Sequence, residues 1–501
     1  MSLQKKELRI FDFLILRQIT SMKVLHIAAE CFPAAKAGGL GDVVGALPKY
    51  LNKTGINTAV VIPKYGRKWI WEQEYKLLFQ GSVRIGLQKI PFIVEQETTD
   101  KLGFTLFVVR IPALYDRGGI YIDENTGYGY RDEFQRAVAF QQAVLIWLKS
   151  WGDAPDILHC HDHHTALIPF FINYCPEYKE LSNKATVLTI HNGVYQGAYP
   201  WSYKEYLPYF YAEGAKVLDW NNNINCLATG IKCAWQVTTV SHSYLEELTQ
   251  RSNGLERLIL AEWSKCTGIL NGIDTDTWDP ATDPRISFRL KDGDIVTFKK
   301  QNKARLTERF AIDPKLPIIS FIGRLVNEKG ADLLPEVIRR TVYHGYNVNF
   351  IVLGTGEKEL ENSFRQLKWQ FQNRFDCSLE YNEDLAHEVY AGSDFIIMPS
   401  RVEPCGLNQM YAMRYGTIPI VRSVGGLTDT VWDHGDWEGR GFRFSQFSVE
   451  DCLNAISRAL TVYYNRPEFS RLQKHDMQID FSWEKSAQNY IQIYKRCLNQ
   501  Q

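Results

Sequence analysis

Short apolar runs bounded by turn residues recur along the first half of the chain, at residues 23–29, 58–63, 106–111, 156–161, 185–191 and 236–241. Each predicts a buried strand, and helical stretches lie between most of them. That alternation predicts a parallel, doubly wound sheet. Around residues 277–291 the pattern breaks into Trp278-Asp279-Pro280-Ala281-Thr282-Asp283-Pro284 and a polar stretch, which reads as a linker. A second α/β series follows, with strands at 317–323, 348–354, 394–399 and 417–421 and helices at 331–343, 358–371 and 408–414. Farther on, Ala487, Tyr490, Ile491 and Tyr494 form an i, i+3, i+4, i+7 stripe over 483–498, so this stretch is an amphipathic helix that must pack on something. The pattern as a whole predicts two open α/β domains with a cleft between them.

Composition narrows the class of protein. At 501 residues the chain has room for two large domains, and 45% hydrophobic with 23% charged residues is an ordered globular balance. Lys+Arg 57 against Asp+Glu 57 leaves no net charge, so no global field holds nucleic acid or a membrane surface and any phosphate recognition is local. Ten scattered cysteines with no C-x-x-C pair favour a reducing, cytosolic compartment. Residues 1–21 hold one apolar cluster, Phe13 to Leu16, too short for a membrane span and unlike a signal peptide. They read as a leader, a start-site ambiguity or an expression remnant.

Four motifs carry chemistry. Lys36-Ala37-Gly38-Gly39-Leu40-Gly41-Asp42 places three glycines between the first strand and a helix reaching about Lys53, which exposes backbone N–H groups to a phosphate or simply makes a tight turn. It is not a dinucleotide fingerprint, because Val44 stands where a third spaced glycine is required. Arg324 and Lys329, in Gly323–Gly330, sit at a strand's carboxyl end, as a diphosphate site or as solvated surface cations. Glu403-Pro404-Cys405-Gly406-Leu407-Asn408-Gln409 sets a carboxylate beside the amides that open the next helix, unless the acid only caps it. His159-Cys160-His161-Asp162-His163-His164 invites a metal reading, but its acid falls one place early for the H-x-H-x-D-H hydrolase pattern; a polar strand end lining the cleft is preferred. Asp274-Thr275-Asp276 is a weak D-x-D, and neither a Gly-Lys dipeptide nor a G-x-S-x-G elbow occurs.

These motifs, with Tyr411–Thr417, Leu114-Tyr115-Asp116-Arg117, Thr189-Ile190-His191-Asn192, Thr238–Ser241, Gly268–Asp274 and the Phe481–Ala487 segment, stand in an order that closely resembles the bacterial glycogen and plant starch synthases from about Met22 onward. The resemblance implies a GT-B architecture of two Rossmann-like domains: 22–280 on the acceptor side, completed by a helix at 483–501, and 281–482 binding a nucleotide sugar. It implies retaining transfer of glucose from ADP-glucose, or UDP-glucose, to the non-reducing 4-hydroxyl of an α-1,4-glucan, in a bacterial cytosol or a plant plastid stroma, with no cofactor and no metal. Carried over motif by motif, Lys36 and the Gly38 and Gly39 amides meet the donor diphosphate from one side and Arg324 and Lys329 from the other. Glu403 holds the glucose hydroxyls beside the loop of Cys405, Gly406, Leu407 and Asn408; His191 and Asn192 contact the sugar, Tyr381 stacks on the adenine, and Asp42, Asp162, Tyr115 and Asn271 line the reaction centre. Three positions depart from the pattern: His163 replaces a tryptophan on the acceptor side, Ala228 a lysine and Gly118 a proline. Two other readings use the same residues, a catalytically weak glucan-binding or priming protein and a metal-dependent hydrolase built on the histidine run.

Overall fold

A computed structural model describes residues 22–499, so the leader read at 1–21 lies outside the described residues. The chain divides into two compact units. The first comprises the described residues up to Val240, Leu245–Ile269 and the stretch from Trp483; the second comprises Ser241–Tyr244 and Leu270–Ser482.

The first unit is built on strands β1 (Lys23–Ile27), β2 (Asn57–Pro63), β3 (Tyr75–Ile85), β4 (Gln88–Glu97), β5 (Thr105–Arg110), β6 (Ile157–His161) and β7 (Ala185–Ile190). Three short strands, β8 (Ala198–Tyr199), β9 (Asp219–Trp220) and β10 (Asn223–Asn225), form a small sheet of their own, and β11 (Gln236–Thr239) and β12 (Cys266–Gly268) rejoin the main one. Its order is β12-β11-β7-β6-β1-β2-β5-β4-β3. From β12 to β5 every pairing is parallel, and β4 and β3 add an antiparallel edge. The sequence reading did not anticipate that hairpin. Its residues are half-exposed and mix Lys76, Gln80 and Arg84 with apolar positions, so no continuous apolar run marks it.

The second unit has one parallel sheet of β13 (Ile318–Ile322), β14 (Asn349–Leu353), β15 (Phe375–Ser378), β16 (Phe395–Met398), β17 (Ile418–Arg422) and β18 (Phe442–Phe444). The order is β15-β14-β13-β16-β17-β18. Counted from the unit's first strand this is 3-2-1-4-5-6, the order of dinucleotide-binding folds, with its reversal between β13 and β16. In the first unit the same reversal falls between β1 and β6. Both units have the Rossmann-like strand order that the family resemblance implies.

The stretch that reads as a linker is packed on the second unit. Trp278 stacks on His387 (centroids 3.7 Å apart, 9°) and on Tyr411 (3.9 Å, 20°). The buried Asp283 carboxylate accepts from Tyr415 Oη and pairs with His387 Nδ1, each at 2.6 Å. Polar turn residues hid a segment whose few large side chains are anchored.

The helix Trp483–Leu498 packs on the first unit. Trp483, Ala487, Tyr490, Ile491, Ile493, Tyr494 and Cys497 share a core with Val43, Leu47, Tyr50 and Leu51 of the helix Gly39–Lys53 and with strand residues Val24, Ile157 and Val187. Among the described residues no helix is long and apolar enough to cross a membrane.

Candidate active site

In an open α/β sheet, ligands bind outside the strand carboxyl ends at the point where the order reverses. In the second unit that point is flanked by the turn after β13, which carries Lys329, and the loop after β16, which carries Glu403. Lys329 Nζ lies 2.8 Å from both Glu403 oxygens, and Ser400 Oγ donates to Glu403 Oε2 at 3.1 Å. Glu403 is 5% exposed. The turn holds Lys329 there because Gly330 (φ +68°) lets it close on the β16 end, where a Cβ would sit 2.0 Å from the Pro399 carbonyl oxygen. Arg324 is more open, 57% exposed, with Glu328 3.6 Å away.

The loop beyond Glu403 is fixed from behind. The Gly426 amide donates to the Glu403 carbonyl, Gln409 Nε2 donates to the Cys405 and Gly406 carbonyls, and Asn408 Nδ2 donates to Ile322 O at 2.7 Å. Cys405 is buried, and burial pushes its thiol up to about 12, so it is no nucleophile. Asn271 is also buried, and its Oδ1 has no hydrogen-bond partner. Tyr381 is 74% exposed.

In the first unit the reversal is flanked by the loop after β1 and the turn after β6. Glu30, buried behind the first loop, accepts from the amides of Ala37 (2.6 Å) and Gly38 (2.9 Å) through Oε2 and from Tyr121 Oη through Oε1 (2.6 Å). The Gly38 amide, which the resemblance gives to the donor diphosphate, here donates to a carboxylate inside the protein. Gly39 has open space where a Cβ would be, so a ligand can approach its backbone closely. Lys36 Nζ pairs with Asp42 Oδ1 at 2.6 Å, both side chains partly exposed.

In the second turn Asp162 has φ +55° and its Oδ1 accepts from the amides of His191 (2.7 Å) and, more weakly, Asn192 (3.4 Å). Burial raises its carboxyl to about 6, partly offset by the His191 amide and by His163. Tyr115 is 5% exposed, edge-on to Tyr65, with the Arg136 guanidinium 4.8 Å from its ring. His163 is 7% exposed and packed against Gly197, which leaves little ring face for a sugar to stack on.

The histidine run is not a polar strand end. His159 and His161 on β6 are fully buried together with His26 on β1. His26 Nδ1 and His161 Nε2 are hydrogen-bonded at 2.9 Å, as are His161 Nδ1 and His191 Nε2. His159 Nδ1 meets Tyr494 Oη at 2.8 Å, and its Nε2 meets Thr189 Oγ1 at 2.6 Å. Alternate β6 residues share a face, and the helix Trp483–Leu498 covers it. Burial lowers all four rings, His26 and His191 to about 3, so they are neutral hydrogen-bonding groups at physiological pH. Although His26, His159 and His161 bring ligand atoms within 4.8 Å, their ring nitrogens already have partners, and the hydrolase reading finds no open ligand set there.

Sequence reasoning missed Glu30, Ser400 and Tyr494. Ser400 stands three residues before Glu403, and Glu30 seven and eight before the Ala37 and Gly38 amides, spacings that offer a signal; Tyr494 acts across 335 residues of chain and offers none.

Comparison with known proteins places this geometry. The family model described as starch synthase catalytic domain matches residues 23–261, and that of glycosyl transferases group 1 matches 302–473. The chain is 46% identical to a glycogen synthase of Flavobacterium johnsoniae over 96% of its own length and 100% of the relative's. It is 36% identical to a glycogen synthase of Thermosipho melanesiensis, over 95% and 99%. Among solved structures, the catalytic domain of starch synthase IV from Arabidopsis thaliana, bound to ADP and acarbose, superposes with a TM-score of 0.86 at 32% identity, over 95% of this chain and 99% of that one. Sucrose-phosphate synthase from Thermosynechococcus elongatus, at 15% identity and a TM-score of 0.60, shares the fold. With both halves matched in order and nearly the whole length covered, the chain belongs to the glycogen and starch synthases, glucosyltransferases that take glucose from a nucleotide sugar and elongate a glucan.

Proposed function

We infer that the donor is ADP-glucose and that glucose passes, with retention of configuration, to the non-reducing 4-hydroxyl of an α-1,4-glucan. The observation that carries this reading is the Lys329–Glu403 pair at the strand-order reversal of the second unit. Each ion compensates the other inside a partly enclosed site, and a sugar diphosphate offers both a replacement: phosphate oxygens for the ammonium, hydroxyls for the carboxylate. Arg324 adds a guanidinium suited to two phosphate oxygens. The exposed Tyr381 receives the adenine, and the partnerless Oδ1 of Asn271 accepts from a substrate hydroxyl. In the first unit His191 and Asn192 contact the sugar, and Asp162 orients them through their amides. Lys36, Asp42 and the Gly39 backbone are that unit's polar contribution. The starch synthase neighbour's bound ADP and acarbose support an adenine nucleotide and a glucan-like acceptor here.

The reaction needs the departing diphosphate's charge stabilised and the acceptor hydroxyl held on the sugar face it leaves. The cations do the first. The acceptor then attacks from the same face and gives its proton to the leaving phosphate, so no protein nucleophile is required. The test is transfer of labelled glucose to glycogen from ADP-glucose and UDP-glucose in parallel. ADP-glucose is expected to support the faster transfer, giving a product that β-amylase digests. Faster transfer from UDP-glucose overturns the donor assignment, a β-amylase-resistant product overturns the linkage, and no transfer from either overturns the activity.

A further inference from the structure

At the start of the helix Glu133–Ser150, Glu133 faces two consecutive imidazoles from the turn after β6. Its Oε1 lies 3.6 Å from His163 Nε2 and 3.5 Å from His164 Nε2. The two rings are 3.7 Å apart between centroids, and all three ligand atoms lie within 4.8 Å of one another. These separations are long for hydrogen bonds. They are close to the spacing of about 3.3 Å between neighbouring donors around a tetrahedral ion with bonds of about 2.0–2.1 Å.

The surroundings hold this arrangement. His163 is packed so tightly on Gly197 that a Cβ there would come within 2.7 Å of its Cδ2. Tyr199 stands beside the Glu133 carboxylate, and the Tyr121 ring lies 4.9 Å from that of His164. Within this enclosure His163 Nδ1 and both ring nitrogens of His164 are buried without a hydrogen-bond partner. Buried polar atoms are nearly always satisfied, and His164 Nε2, the one of these three that faces Glu133 Oε1, points to a missing partner beside the carboxylate. Glu133 keeps 37% of its side chain exposed, so the group is reachable from solvent.

We propose that Glu133, His163 and His164 form a binding site for a divalent first-row transition ion of the zinc class, bound by Glu133 Oε1 and the two Nε2 atoms with a remaining position for water. Two imidazoles and one carboxylate suit zinc, cobalt or nickel rather than magnesium or calcium. Tyr199 is the outer partner that orients the carboxylate. The bound ion ties the start of the helix to the turn that carries Asp162, and it stabilises the folded chain by mass action.

The test uses the full chain, stripped with a chelator, dialysed and titrated with Zn²⁺ against a chromophoric competitor and with Co²⁺ by visible absorption. Expected are one equivalent bound, the intense ligand-field bands of a four- or five-coordinate cobalt ion, and a rise in melting temperature with Zn²⁺. Glu133→Gln, His163→Phe and His164→Ala should each weaken Zn²⁺ binding at least tenfold, whereas His26→Asn, in the other imidazole cluster, should leave it within twofold. Circular dichroism checks that each variant folds, and Glu133→Gln, nearly isosteric, decides the matter if a histidine variant does not. Absence of stoichiometric binding, an affinity unchanged in Glu133→Gln, or loss of binding in His26→Asn overturns the site.

Discussion

Glu403 takes part in three hydrogen bonds within one turn of chain and its neighbour Lys329, so its replacement tests the donor reading most directly. Glu403→Gln should lower turnover by about 10²–10³ while ADP affinity holds or rises, because the carboxylate is assigned to the sugar and its loss frees Lys329 for phosphate. Steady-state kinetics with ADP-glucose and calorimetry with ADP measure the two effects separately. Asp162 gives a pH-dependent prediction. Its carboxyl is raised in the fold to about 6, so the native state holds its proton more tightly than the unfolded chain and loses stability as pH rises from about 4 through 6. Asp162→Asn keeps an oxygen for the His191 amide without that cost. The variant should gain on the order of 2 kcal/mol over the parent at pH 8 and progressively less towards pH 4, read from urea midpoints. The residues legible in the sequence, Lys36, Arg324, Lys329 and Glu403, lie in short motifs at strand ends, where local spacing and chemistry coincide. At Gly38 local spacing shows that an amide is presented but not that Glu30 accepts from it.

The strands that could be read were those buried on both faces; β3 and β4, half in solvent at the sheet edge, carry no such signal. The helix Trp483–Leu498 could be read as an amphipathic stripe, but not its partner surface, since a stripe shows which side chains are buried and not what buries them. Nor does a stripe show that Tyr494 reaches into the imidazole network. Tyr494→Phe removes one hydroxyl from that network and leaves His159 Nδ1 buried without its partner. The expected cost is about 1–3 kcal/mol of first-unit stability, seen as a lower melting midpoint. Tyr494 Oη also lies 3.5 Å from His26 Nε2, and hydrogen bonds run on from His26 through His161 to His191, so sugar affinity should weaken with the melting loss. A melting loss with an unchanged KM for ADP-glucose would confine Tyr494 to a structural role.

At the scale of the whole molecule, two sheets of one strand order account for both positions at which ligand groups gather, and the alternation of apolar runs made that duplication legible. The division of the chain does not follow from that alternation, because the first unit is not continuous in sequence; the family resemblance is what assigns the helix at 483–501 to the first domain. Seven core side chains of the first unit come from the helix Trp483–Leu498. At about 1.5–3 kcal/mol for each large apolar group buried, their loss is comparable with the whole stability of a domain. A chain stopped before Trp483 should therefore keep a protease-resistant second unit while trypsin rapidly cuts the first; equal resistance of both would show that the helix is dispensable. The same arrangement bears on how the protein is made. A ribosome emits nearly all of the first unit's residues early, then the whole of the second, and only afterwards the helix that closes the first. The later-made unit can finish folding while the earlier one still waits, its apolar surface on the helix Gly39–Lys53 uncovered, so premature termination yields a chain that has its second unit but lacks a stable first unit to act with.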